Sequence, residues 1–525
     1  MQKKPAAQNP LPKFFLKNKT KILLAIFFLA LIFRIFSIVV VPEPAYNDSV
    51  YHLEVAQQFM QGNFPTQETP PFLYHIILAG FFGFTGLPMV WPFVKVIPLL
   101  VALLQIGIAF LLFKKVFPKS YLIPTIFFVS FPWIVRMGSV NMVDSFSVLA
   151  VVVFAYFAYR LAESTTSKLS MRYALLSALS FLPMAFSKTN VIFIIPFMLI
   201  CFGLLLREKL GVKKALPLFV FAIVFGASFV LISATLPFGS ANPLESGAPS
   251  IRNLPLPQLN LINFEFFPKS FAVFFDFPHE SSFDKMPILG SLPYFPVLVI
   301  FILILLPLGF LIIKGAYVSA KRAITFAKSL FLKTKEKRSD FAMTLFWLMA
   351  LLCFLASIYP SLTAIRESEI YVRYLLPALP FIALLVGLAY ERSSVRLRQV
   401  ALVSILLFAF YSFAMTSTSA MFYYNVQQKN MPLYDYLNAS SDIPSIISML
   451  NSRALRYYTN KEVITLPMGT YALDEIIHDY GGESKYFAIS CYNEDLMTSI
   501  PELQSSPKVQ TVFENGCTKV LKIIS

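Results

Sequence analysis

The stretch PEPAYNDSVYHLEVAQQFMQGNFPTQETPPFLYH, residues 42–75, lies within a segment (42–89) that has no Lys or Arg, in a chain with 44 of them. It separates two long apolar runs and carries Asp48, Glu54 and Glu68. Positive residues are kept on the inner side of a membrane, so a segment without them between two spans is expected outside. Acidic side chains there, followed by aromatic and apolar residues suited to a lipid surface, point to chemistry at the membrane interface.

Composition agrees. Of 525 residues 57% are apolar and 14% charged, Phe occurs 55 times, and the mean hydropathy is +0.67. A soluble domain has about 45–50% apolar and about 25% charged residues. Many runs reach the ~20 apolar residues that cross a bilayer core. The net charge of +16 does not point to nucleic acid, because the basic residues sit in short segments beside the apolar runs and set orientation instead. The first run, 21–41, is long enough to span and has no small-residue cleavage site before the acidic segment, so it is expected to stay as a span.

The expected fold is an α-helical polytopic membrane protein with a small external α/β domain. Eleven spans fit, at about 21–41, 90–113, 120–138, 145–161, 172–187, 189–206, 215–237, 291–314, 341–359, 374–390 and 400–417. The basic segments are the tail 1–20 and the turns at 114–119, 168–172, 207–214, 320–340 and 391–398. One parity puts all of them inside, with the N-terminus in and the C-terminus out of the cell membrane. The apolar stretch 72–87 must then not cross, and it suits a helix lying on the outer surface. The transmembrane domain covers 21–417, with external loops at 42–89 and 238–290, and the external domain covers 418–525. Within that domain 444–450, 462–467 and 485–490 read as strands, and the segments around 453–460 and 472–482 as helices. Residues 509–524 read as a hairpin turning at Asn515-Gly516. Cys491 and Cys517 lie near expected strand ends and are candidates for a disulfide.

Asp48 opens a helical pattern with Val50, Leu53, Ala56, Phe59 and Met60 on one face. An Asp there can simply cap the helix. Glu68 can simply be a solvated loop residue. A third acid, Asp144, falls at the outer end of the third span, where a carboxylate near hydrocarbon is costly and usually functional. Together the three can deprotonate an acceptor or hold a divalent cation, with Asp48 and Glu68 as its ligands. Arg366, Arg373 and Lys188 lie at the same expected face and can bind a lipid phosphate. Glu367 and Glu369 can equally be surface partners of the arginines, and Lys188 can snorkel.

The order of these features resembles the GT-C glycosyltransferases that use lipid-phosphate-linked sugars: protein O-mannosyltransferases of glycosyltransferase family 39, lipid A aminoarabinose transferases and, more distantly, the oligosaccharyltransferase catalytic subunit. Asp48-Ser-Val-Tyr51-His52 with Ala56 and Gly62 resembles their first-loop signature. Glu68-Thr69-Pro70 resembles a Glu-Lys-Pro motif without its Lys, PPFLYH (70–75) a surface-helix motif, and VRYLLPALP (372–380) a late-span motif. The resemblance implies inverting transfer of a sugar from a polyprenyl-phosphate donor, dolichyl or undecaprenyl, to a protein, lipid or glycan acceptor. It implies Asp48 as general base, with Asp144, Glu68, His52 and Tyr51 shaping the site, and Arg366, Arg373 and Lys188 on the donor phosphate. Thr69 in place of Lys is a departure from an aminoarabinose-type donor site.

Two other classes compete. A transporter or flippase of lipid-linked sugars predicts charges near the bilayer middle and two matching halves; only Arg34 sits well inside a span, and no such symmetry is visible. A polysaccharide polymerase would need an oligosaccharide donor.

Overall fold

The computed structural model describes residues 13–43, 47–63, 72–187, 191, 193–235, 293–331, 339–363, 375–448, 452–459, 461–466, 471–482, 484–491, 500–503 and 505–524. The expected external loop at 238–290 lies outside them. The chain is a polytopic membrane protein. Helix α1 (Lys13–Val40) is followed by two shorter helices, α2 (Asn47–Met60) and α3 (Phe72–Thr85), which occupy the segment without basic residues. The bundle continues with α4 (Val96–Val116), α5 (Leu122–Val129), α6 (Pro132–Gly138), α7 (Val143–Glu163), α8 (Ser167–Leu179), α9 (Phe181–Ala185), α10 (Ile195–Leu210) and α11 (Val212–Thr235). It closes with α12 (Tyr294–Phe331), α13 (Ser339–Thr363), α14 (Leu379–Glu391) and α15 (Val395–Ala439).

Among the described residues six helices are long and apolar enough to cross a membrane: α1, α4, α7, α12, α13 and α15. The segment read as one span at 120–138 is instead two helices. Pro132 sits at the first position of α6 and holds Phe131 in an extended conformation, which stops α5 at Val129. The run read at 189–206 starts helically only at Ile195 as α10, and Gly211, with φ +74°, turns it directly into α11. Close backbone approach fixes α12 on α14: a Cβ at Gly315 would collide with the Leu385 carbonyl.

Among the described residues, the segments around 115–120, 163–164, 209 and 391–393, in or beside turns read as cytoplasmic, are linked at one end of the bundle. Lys115 pairs with Glu163 at 3.2 Å and the Ser120 hydroxyl donates to Glu391 at 2.7 Å. Lys209 donates to the Ser164 carbonyl at 2.9 Å, and Lys314 to the Ser393 hydroxyl at 3.0 Å. The C-terminal domain stands at the other end.

That domain is carried on α15, whose 45 residues make a rod of about 67 Å, more than twice the ~30 Å hydrocarbon core. The boundary read at 418 therefore falls inside a continuous helix. Strands β1 (Ser445–Ser448), β2 (Glu462–Thr465), β3 (Tyr486–Ile489), β4 (Val509–Asn515) and β5 (Thr518–Ile523) form a sheet in the order β2-β1-β3-β5-β4. The pairs β1–β2 and β1–β3 are parallel; β3–β5 and β4–β5 are antiparallel. One face packs Ile446, Ala488 and Val520 on Leu433, Tyr434 and Leu437 of α15 and on Leu455 of α16 (Ser452–Thr459). The other buries Phe487, Leu521 and Ile523 against Leu473 and Ile476 of α17 (Leu473–Tyr480). The hairpin turns at Gly516, with φ +59°, where a side chain would be strained. Cys491 and Cys517 are bridged, tying the end of β3 to that turn; closing a loop of this length (separation 26) contributes about 3.5 kcal/mol in the chain-entropy account.

Candidate active site

Two of the three acids singled out in the sequence occupy equivalent places. Asp48 is the second residue of α2 and Asp144 the second residue of α7. A residue in the first turn sits at the positive end of its helix dipole. Asp144 is fully buried. Asp48 is located by its helix; its side chain, and the whole of Glu68, Lys188, Arg366 and Arg373, lie outside the described residues. So does the Asp48–Glu68 pair expected to hold a cation. Among the described residues no group of three or more His, Cys, Asp or Glu is arranged to hold a metal.

What joins the two helix starts is a buried residue that the sequence reading passed over. Glu43 is 2% exposed and follows α1. Its Oε1 accepts from the backbone N–H and from Nδ2 of Asn141, both at 2.7 Å. Its Oε2 pairs with Lys95 Nζ at 2.9 Å, and Lys95 also donates to the Ser139 carbonyl at 2.9 Å. Asn141 Nδ2 donates to the Val94 carbonyl at 2.9 Å, and its Oδ1 accepts from the Tyr74 hydroxyl at 3.0 Å. On the other side the Glu43 carbonyl accepts from the hydroxyl of Ser49, the residue after Asp48. One residue thus touches the start of α2 and the loop that launches α7. Lys95 gave a usable signal: a cation only a few residues into an expected span wants a buried partner.

Of the residues expected to shape the site, His52 is buried against His75, with Nδ1 and Nε2 at 2.8 Å, so one ring donates and the other accepts. Tyr74 stands edge-on to His52 at 6.3 Å and packs on Phe146 of α7 at 5.7 Å. Tyr51 faces the C-terminal domain, where the Arg453 guanidinium lies 4.6 Å from its ring centroid. One turn along α2, Glu54 pairs with Arg456 at 3.7 Å, and the Tyr457 hydroxyl donates to the Met89 carbonyl at 2.8 Å. Burial raises the Glu54 carboxyl above its ordinary range, with Arg456 and Arg453 pulling the other way. Met60, expected on the apolar face of α2, is instead 44% exposed and lines a cavity of about 780 Å³. Its walls are α2 (Leu53, Glu54, Gln57), residues 87–90, and Arg456, Tyr457 and Lys461 of the domain.

Arg34, read as lying inside the first span, is 1% exposed. It donates to the Gln105 side-chain oxygen, and Gln105 Nε2 donates to the carbonyl and, at 3.0 Å, the hydroxyl of Ser145. The buried charge is thus tied to the first turn of α7.

Neither a protein-family model nor a curated protein matches the sequence. Solved structures do. ArnT from Cupriavidus metallidurans bound to undecaprenyl phosphate superposes with a TM-score of 0.52 at 12% identity, over 96% of this chain and 98% of that one. Its apo state gives 0.53 at 13% identity with the same coverage. The chain has the GT-C fold. The apo oligosaccharyltransferase of Archaeoglobus fulgidus gives 0.48 at 12% identity, over 89% of this chain and 69% of that one. Within this fold the acid-bearing helix α2 lies between the Glu43 cluster on one side and α16 of the C-terminal domain on the other.

Proposed function

We propose that the chain is a glycosyltransferase that moves a sugar from a polyprenyl-phosphate donor to an acceptor on the outer face of the cell membrane. The observation that carries this reading is the linking, through Glu43, of two helix starts that each have an Asp as second residue, within a fold shared over nearly its whole length with a protein solved with undecaprenyl phosphate. Asp48 takes the acceptor hydroxyl proton as the acceptor oxygen bonds the sugar carbon from the face opposite the leaving group. The bond from that carbon to the phosphate oxygen breaks, and its electron pair stays on the phosphate. Arg366, Arg373 and Lys188 stabilise the charge that develops there. Asp144, His52 and Tyr51 shape the site, and Asp48 with Glu68 hold a divalent cation when one is used. The outward placement of the site rests on the distribution of basic residues and is supported by the Cys491–Cys517 bridge, since disulfides persist in oxidising compartments.

A donor-binding measurement tests the lipid class. In nanodiscs, undecaprenyl phosphate at about 100 times its dissociation constant is expected to stabilise the protein by about 2.7 kcal/mol. Undecaprenol, with the same chain and no phosphate, is expected to give a much smaller shift in melting temperature. Equal shifts from the two lipids would remove the phosphate site from the account.

A further inference from the structure

We propose that Glu43 is the positioning residue of this site: its carboxylate and carbonyl together set the spacing between the helix start that carries Asp48 and the one that carries Asp144. The inference rests on the glycosyltransferase reading for its activity arm and on geometry alone for the rest. Glu43 belongs to neither helix. Its Oε1 accepts from the backbone N–H and from Nδ2 of Asn141, three residues before Asp144, at 2.7 Å each. Its carbonyl takes the hydroxyl of Ser49, adjacent to Asp48. Lys95, 2.9 Å from Oε2, neutralises the carboxylate and pins the same loop through the Ser139 carbonyl. Tyr74 closes the ring by donating to Asn141 at 3.0 Å while packing on Phe146, two residues past Asp144. No hydrogen bond of this set falls within a helix, so helix propensity cannot hold the spacing if Glu43 lets go. A displacement near 1 Å at a reacting group costs on the order of 10²-fold in rate.

The charge and the acceptor roles of Glu43 separate in two double variants. Glu43→Gln with Lys95→Met keeps an oxygen for Asn141 and removes both charges together with the Lys95–Ser139 bond; turnover is expected to stay at least about tenfold above that of the next pair. Glu43→Met with Lys95→Met keeps a neutral pair without that oxygen; turnover is expected to fall on the order of 10²-fold. Binding of undecaprenyl phosphate should change less than threefold in both. Glu43→Asp, which keeps the charge for Lys95 but withdraws the carboxylate by one methylene, serves should the Met variant not fold; it is expected to lose about tenfold in turnover with unchanged lipid binding. Amide exchange in peptides spanning 139–147 and 47–53 should accelerate in the Met variant and in Glu43→Asp. Equal turnover of the Gln and Met pairs, or exchange unchanged in both segments, would overturn the assignment. A wild-type protein that binds the lipid phosphate and transfers nothing would instead sink the glycosyltransferase reading, leaving the exchange arm to decide the role of Glu43.

Discussion

Replacing Asp48 with Asn is expected to slow sugar transfer by at least ~10²-fold while leaving the fold and donor binding intact. Asn is close to Asp in size and caps helices nearly as well, so a purely structural Asp48 would be silent to this change. As a base, Asp48 cannot be replaced: a neutral amide accepts no proton at working pH. Its position as the second residue of α2 puts Asp48 at the positive end of that helix's dipole, which suits the role. Transfer, donor binding and melting temperature measured on one preparation separate the cases. Turnover within about threefold of wild type, beside an unchanged melting temperature, would remove Asp48 from the chemistry.

The largest stability effect is expected at Lys95. Its side chain is 7% exposed and that of Glu43 1%, so both charges are out of water and each depends on the other. Lys95→Met leaves the Glu43 carboxylate with only the two Asn141 donors. Breaking a buried pair from one side typically costs 3–5 kcal/mol, whereas neutralising both sides is often close to free. The single variant should therefore melt well below wild type, and adding Glu43→Gln should recover most of the loss. A loss under about 1 kcal/mol for Lys95→Met would show that water reaches the pair, as it does for surface ion pairs.

Local signals in the sequence carried the fold a long way. The strands at 445–448, 462–465 and 486–489 stand where short β-branched and aromatic runs sit between turn residues, and Asn515-Gly516 makes the hairpin turn with Gly516 at positive φ. Among the described residues, basic turns far apart in the chain, around Lys115 and Lys209, meet at the Glu163–Ser164 turn. Breaks inside spans were harder to see. Pro132 is a local signal for one, yet the apolar runs on both sides masked it. The site divides the same way. Asp48 was visible as an acid opening a helical pattern, and Asp144 as an acid at the outer end of an expected span, although it opens α7 instead. Glu43 was not, although it stands in the decisive stretch, because its partner Asn141 is 98 positions away and nothing local marks that pairing. Arg453 and Arg456 were missed for a related reason: they lie on a polar helix of the C-terminal domain and gain a role only when that helix docks on Tyr51 and Glu54.

Whether this protein breaks a sugar–phosphate bond is the central question, and one assay answers it most directly. Purified protein in nanodiscs is incubated with the polyprenyl-phosphate-linked sugars and the envelope acceptor fraction extracted from its own cells. Mass spectrometry then follows the lipid and acceptor pools together. The account predicts that free polyprenyl phosphate appears in step with acceptor gaining one sugar, with wild type and not with Asp48→Asn. Lipid-linked sugar that stays intact, or that crosses a bilayer without releasing polyprenyl phosphate, would contradict it.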